Sequence, residues 1–473
     1  MKHKMLKTII LISTAFLVAV VLIQKNANKK PVIVNPNPRS EKSWVGDVMP
    51  FYDGNQWNIF YLEDHRDGRV GFHPFSLLTT NDFVTYTDEG EVIPFVDEEL
   101  SQERALGTGS IIKDKDGLYH SFYTAHNGLL EPKEAIMHAT SKDLVNWKKQ
   151  SQDTFFGSQQ YQRNDFRDPF VFFNEADDEY WMLITTRKND TGVIARYTSK
   201  DLKTWTDQGV FFENDLGTDS NLECPSLVFY NGKWYLAFSD QWPDRVTHYR
   251  VADSLDAPFE KPSNIDHWDS NAFYAGQIQQ DDQGNLYVFA WIPTKEAHDD
   301  NKPYNWAGNL AIHQLTQEPN GDLSASLASS VNDYLLSKQP LTHIAYADES
   351  VLFKQNDVIS ILEANVEYNP DDEFGFTFNY DEDSVSQLNI VFKDGRIEYH
   401  NNGLDYVDRS KPLSSLNIID QSGTVSLKLV VNDDIIIFYI NDQQAFSTRM
   451  IRAKGKDFKF FIKEGNPKLH IKE

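Results

Sequence analysis

Apolar positions along this chain gather into short, aromatic-rich runs, without the three-to-four-residue spacing of an amphipathic helix. Five runs stand out: WNIFYL at 57–62, YHSFYT at 119–124, YWMLIT at 180–185, WYLAFS at 234–239 and LYVFAW at 286–291. Their starts differ by 62, 61, 54 and 52 residues, and most follow a turn such as DGNQ, KDG, NGK or DQGN. A second repeat is interleaved with the first. NDFVTYTDEG at 81–90, SKDLVNWKKQ at 141–150 and SKDLKTWTDQG at 199–209 carry an Asp, an apolar residue and an aromatic at matching offsets. A period of 50–60 residues, with several short strands per unit, is the signature of small sheets arranged radially. Five copies predict an all-β fold that begins with a five-bladed β-propeller over residues 43–324. Chance similarity among the hairpins of one large sandwich would not produce two interleaved repeats in the same order.

Beyond residue 345 the pattern changes. VISILEANVEY, EFGFTFNYD, SQLNIVFKDGRIEYH, VSLKLVVNDDIIIFYINDQQAFSTRM and FKFFIKE alternate over longer spans and are joined by tight turns. Alternation with short turns predicts an antiparallel β-sandwich over 345–473, with 325–344 as the connection. This second domain has no cluster of chemically useful side chains, so its expected role is to pack against the propeller.

Composition narrows the function. The chain has 473 residues, enough for two cores, and a formal net charge of -25. Such acidity argues against nucleic acid and anionic lipid surfaces as partners and suits a neutral substrate. The single cysteine, Cys224, permits no internal disulfide and reads as a small buried residue. At the start, Lys2, Lys4 and Lys7 precede an apolar run over residues 8–23, and Lys25, Lys29 and Lys30 follow it. Residues 1–30 therefore read as a signal peptide or signal-anchor, with membrane anchoring through 8–23 and 31–42 as a flexible linker. The expected location is extracellular or cell-surface.

The chemistry-bearing residues recur with the strands. The five units begin WVGDVMPFYDG, GTGSIIKDKDG, FRDPFVFFNEADDE, LECPSLVFYNG and FYAGQIQQDDQG. Three carry an acid just ahead of a proline: Asp47, Asp168 and Glu223. Equivalent positions in successive blades face the same mouth of the central channel, so these three acids should converge. Like charges in a poorly solvated pocket raise at least one carboxyl pKa. That divides the roles into an acid and an ionised base or nucleophile, as glycoside hydrolysis requires. Arg167, beside Asp168, is expected to keep that carboxylate ionised. No Walker loop, G-x-G-x-x-G, H-E-x-x-H, G-x-S-x-G or Cys-rich pattern is present, so no cofactor and no metal are implied.

At these residues the sequence resembles glycoside hydrolase family 32, the invertases, levanases and other β-fructosidases. WVGD stands where that family has W-M-N-D, FRDP matches its R-D-P and LECP its E-C. GTGSII corresponds to its S-G-S segment, FYAG to F-Y-A-P, and WAGNLAI to W-A-G-x-L-S. The resemblance implies a propeller followed by a sandwich and retaining cleavage of a β-fructofuranosyl linkage. Asp47 would be the nucleophile, Glu223 the acid/base and Asp168 the transition-state stabiliser. Trp44, Arg167, Thr108, Tyr274 and Trp291 would be the sugar contacts. The sequence departs from the family at Gly46, Val48, Leu62, Val70 and the pair His73–Pro74, positions that shape the family's sugar pocket. Rival readings are a fructosyltransferase with the same site, an inverting propeller glycosidase acting on pentosides, and a carbohydrate-binding propeller without turnover.

Overall fold

The computed structural model describes residues 30–65, 73–355, 358–380, 386–404 and 410–472. The targeting segment and Val70 lie outside the described residues. Among the described residues, no helix is long and apolar enough to cross a membrane.

Each aromatic run is the second strand of a small antiparallel sheet, and five such sheets follow one another along the chain. The first strands are Trp44–Tyr52, Ala105–Lys113, Phe166–Asn174, Leu222–Tyr230 and Tyr274–Gln280. Each packs against its neighbours in turn, the fifth against the first, so the five encircle a central axis. The aromatic second strands lie outside them, and their faces pack between blades, where large flat side chains fill the space between sheets. Trp57, for example, meets Phe289 of the fifth blade with ring centroids 4.8 Å apart.

The blades are not uniform. The second and third have four strands each, while the fourth has three: Leu222–Tyr230, Lys233–Asp240 and Thr247–Ala252. Its outer edge is met only by isolated bridges, Val251 with Glu260 and His248 with His267. The first blade gains an extra strand. Val32–Val34 pairs with Thr85–Thr87, and Asn432 donates to Asn35 Oδ1 at 2.6 Å and to Asn37 Oδ1 at 3.0 Å. Residues 31–42 are thus not the flexible linker expected from their composition, because sheet pairing and amide contacts fix their first half.

The interleaved repeat has a simple cause. It forms the turn between the third and fourth strands of the first three blades. Asp82, Asp143 and Asp201 each accept backbone N–H groups two and three residues on. The next residue, Phe83, Leu144 or Leu202, adopts positive φ and buries its side chain. Asp supplies the local acceptor that such a turn needs.

The fifth blade ends at Ser326, and a short helix, Ser329–Leu336, leads to the sandwich. That domain stacks a seven-stranded sheet on a five-stranded one around a Phe-rich core. It is bound to the propeller by buried polar groups. The Asp269 carboxylate accepts from Ser447 N–H at 2.7 Å, Ser447 Oγ at 2.5 Å and His313 Nε2 at 2.9 Å. Arg449 donates to the Pro293 carbonyl at 2.8 Å and to Asn309 Oδ1 at 2.6 Å.

Candidate active site

Every first strand breaks register with its neighbour at the same end of the blade. The breaks fall between Gly46 and Val48, Gly107 and Gly109, Arg167 and Phe170, Glu223 and Ser226, and Tyr274 and Gln277. A β-bulge inserts an unpaired residue and re-aims its side chain. Here the bulged residues are Asp47, Thr108, Asp168, Cys224 and Ala275, one per blade. The last three adopt positive φ, at 56°, 52° and 57°. Pro169 and Pro225 sit inside their bulges, where a missing N–H costs no ladder bond. Pro50 is different: it pairs with Ile59 inside the ladder. The acid-to-proline offsets are unequal because Asp47 and Asp168 occupy their bulges, whereas Glu223 is the last paired residue ahead of its own, opposite Ser239.

The bulges bring the three acids into one cavity of about 760 Å³. Asp47 is held at both oxygens, by Thr108 Oγ1 at 2.8 Å and by Trp291 Nε1 at 3.1 Å. Asp168 accepts from the Cys224 backbone N–H at 3.0 Å, and its own N–H donates to Thr124 Oγ1 at 2.8 Å. Glu223 accepts from the Tyr274 hydroxyl at 2.5 Å and from Arg167 at 3.1 Å. Thr108, Arg167, Tyr274 and Trp291 thus all touch a carboxylate directly. Trp44 does not line this cavity. Its indole instead packs with the guanidinium groups of Arg39, at 4.2 Å, and Arg449, at 5.7 Å.

Burial moves Asp47 and Asp168 in the same direction. Burial, reinforced by the charge of Glu223, raises the Asp47 carboxyl above its ordinary value. Burial also pushes Asp168 up to about 7, with Glu223 and Asp47 adding to the rise and Arg167 opposing it. The sequence-based expectation that Arg167 keeps Asp168 ionised is therefore corrected. The guanidinium is directed instead to Asp165 at 2.8 Å, Glu223 at 3.1 Å and Glu134 at 3.5 Å, and its Nε stands 4.0 Å from Asp168. Burial raises the Cys224 thiol as well, so it stays neutral beside Thr108 and Asp168.

Several lining residues escaped the sequence reading: Asp64, His126, Gln241, Arg245, Asn305 and Trp306. Asp64, His126 and Gln241 share a position, at or just past the end of a blade's second strand. A polar residue two positions past the aromatic run, in these three blades, is the signal that could have marked them. Arg245 lies over the Tyr274 ring at 4.6 Å. With Tyr274 and Asn305 it also borders a second basin, of about 350 Å³, that adjoins the cavity. Lys302 and Leu413 line that basin too, the latter from the sandwich.

Among the described residues, one group has metal-ligating geometry: His248, Asp266 and His267, with ligand atoms within 4.8 Å of one another. It stands apart from the cavity lining, and its donors are already engaged. Asp266 accepts from Arg250 at 2.8 Å and pairs with His248 at 3.0 Å.

Comparison with known proteins agrees with this architecture. The family model described as the glycosyl hydrolases family 32 N-terminal domain matches residues 39–323. The sucrose-6-phosphate hydrolase of Vibrio alginolyticus is 24% identical over 364 residues, covering 72% of this chain and 69% of that protein. The sucrose-6-phosphate hydrolase of Pediococcus pentosaceus is 27% identical over 304 residues, covering 60% of this chain and 58% of that protein. Among solved structures, the sucrose-6-phosphate hydrolase of Lactobacillus gasseri superposes with TM-score 0.71 at 18% identity, covering 95% of this chain and 93% of that one. The exo-inulinase of Aspergillus awamori superposes with TM-score 0.72 at 14% identity, covering 93% and 97%. On a family match that spans the whole propeller, this chain belongs to glycosyl hydrolase family 32 and is a glycoside hydrolase.

Proposed function

We propose that the chain cleaves a β-fructofuranosyl linkage with retention, by double displacement. The observation that carries this reading is the meeting of Asp47, Asp168 and Glu223 in one cavity, each held by different partners. Asp47 attacks the anomeric carbon and forms a glycosyl-enzyme. Thr108 and Trp291 fix both of its oxygens, so the attack needs no rotation of the carboxylate. Glu223 protonates the departing oxygen, then takes a proton from the incoming water. Tyr274 and Arg167 orient it through both steps. Asp168 accepts hydrogen bonds from sugar hydroxyls, which strengthen as charge develops at the anomeric centre. The leaving group lies on the side of Glu223, whose partner Tyr274 also borders the second basin.

The relatives' names support a fructoside as substrate: sucrose 6-phosphate for the hydrolases above and levan for the levanase of Geobacillus stearothermophilus, 24% identical over 266 residues. A phosphorylated leaving group is a second reading, favoured by Arg245 and Lys302 on the basin it would enter. Side-by-side kinetics on sucrose, sucrose 6-phosphate and fructosyl oligosaccharides separate the two.

The mechanistic test is chemical rescue. Asp47→Ala and Glu223→Ala both lose turnover on natural substrates. Azide added to Glu223→Ala gives a fructosyl azide of retained configuration. Azide added to Asp47→Ala gives the inverted product, because it takes the nucleophile's place. The opposite pairing of stereochemistry would exchange the two roles. Full activity in both variants would remove the three-carboxylate site altogether.

A further inference from the structure

The wall of the cavity beside the nucleophile holds an unusual contact. A Cβ built on Gly46 would fall 2.3 Å and 2.4 Å from Cη2 and Cζ2 of Trp306, far inside van der Waals contact. The six-membered part of the indole therefore fills the volume that any side chain at position 46 would need. The matching motif of the family has Asn there together with the same W-A-G segment, and in this geometry the two do not fit together.

Trp306 cannot readily withdraw. Its backbone N–H donates to Asn305 Oδ1 at 2.9 Å, which fixes the chain at its base. Two residues on, a Cβ at Gly308 would sit 1.7 Å from the Ile292 carbonyl oxygen, so the strand is pressed against its neighbour. His73 packs against the indole with ring centroids 4.4 Å apart, and Trp291, which binds Asp47, meets it edge-on at 6.1 Å. Leu62, buried and on the lining, pairs with Gly46 across the blade. One wall of the pocket is thus apolar and aromatic, where the family's motif would supply an amide.

We infer that Trp306, admitted by Gly46, is a specificity-determining residue that takes the transferred sugar through a C–H face and withholds the hydrogen bonds an amide at position 46 would give. Resting on the fructoside reading above, this selects against sugars that depend on a polar contact at that wall. Aromatic rings bind the C–H face of a sugar by dispersion and burial, without satisfying hydroxyls. A hydroxyl forced against such a surface goes unpaired, which is a strong basis for rejection.

The test is a double-mutant cycle of Gly46→Asn and Trp306→Ala, read as kcat/KM on two aryl glycosides that share a leaving group and differ in the transferred sugar, a β-fructofuranoside and an α-arabinofuranoside, with thermal stability recorded alongside. Gly46→Asn alone loses about 100-fold or more, as expected for overpacking beside a nucleophile. Trp306→Ala alone loses activity on the fructoside and narrows its advantage over the arabinoside by about 10-fold. The double variant recovers at least about 10-fold over Gly46→Asn, since the indole no longer competes for the space. Losses that multiply independently, or an unchanged substrate ratio in Trp306→Ala, would overturn the inference. Should Gly46→Asn not fold, Gly46→Ala carries the same clash in smaller form, and the ratio in Trp306→Ala decides alone. Absence of activity on every fructoside in the unmodified protein would instead fail the functional reading, while coupling in the stability cycle would still report the packing.

Discussion

Replacing Asp168 by Asn tests the electrostatics of the site without touching its shape. Asn keeps the oxygen that accepts from the Cys224 N–H and removes the charge. In the folded protein Asp168 titrates at about 7, against an ordinary 3.8. Its folded pKa is raised, so between those values the folded state holds a proton that the unfolded chain has released. Stability therefore falls as pH rises through that window, by ~1.4 kcal/mol per unit, about 4 kcal/mol in all. That figure is an upper bound, because neighbouring carboxylates share the proton. The variant has no such term. Chemical denaturation at pH 5 and pH 8 should show its advantage over the unmodified protein growing by about 2 to 3 kcal/mol at the higher pH. Activity should fall at the same time, by about 100-fold or more, with the loss of a group that stabilises the transition state. A stability difference that is flat with pH, or one that grows toward acid, would refute the claim that burial outweighs Arg167 at this carboxylate.

Three further outcomes follow from the structure. Tyr274→Phe removes the hydroxyl that donates to Glu223 and should lower kcat/KM by about 10-fold or more, with fold and melting temperature nearly unchanged. Cys224, buried with its thiol kept neutral, should resist iodoacetamide in the folded protein, leaving activity intact, and react fully only once the protein is unfolded. Arg449→Ala strips donors from two buried carbonyls and an amide at the domain interface, so it should destabilise by roughly 3 kcal/mol and lower the melting of both domains together.

Much of the architecture was legible from residue patterns because propeller blades are repeats. The aromatic second strands and the Asp-centred turns recur in order, and their spacing alone counts the blades. The acids were legible for the same reason. What did not show was anything set by contact between distant segments. The outer edge of the fourth blade is bridged by Glu260 and His267, in a stretch that reads as an ordinary loop. Val32–Val34 joins the first blade through pairing with a partner more than fifty residues away, and no local signal announces it. Arg167 is adjacent to Asp168 in sequence, but a bulged strand turns their side chains apart and sends the guanidinium to Glu223. Gly46 was visible as a departure from a motif. That an indole some 260 residues later fills the gap was not.

The ring closes where the first and fifth blades meet, through a single backbone pairing of Val45 with Gly308. Asp47 stands two residues from that seam, and Trp291, which grips it, arrives on the last blade to be synthesised. Asp47 is therefore made among the earliest residues of the propeller, and only the oxygen that Thr108 binds can be held before almost the whole domain has left the ribosome. A partly made chain would carry the reactive carboxylate without the indole that orients it, so competence and completion of the ring coincide.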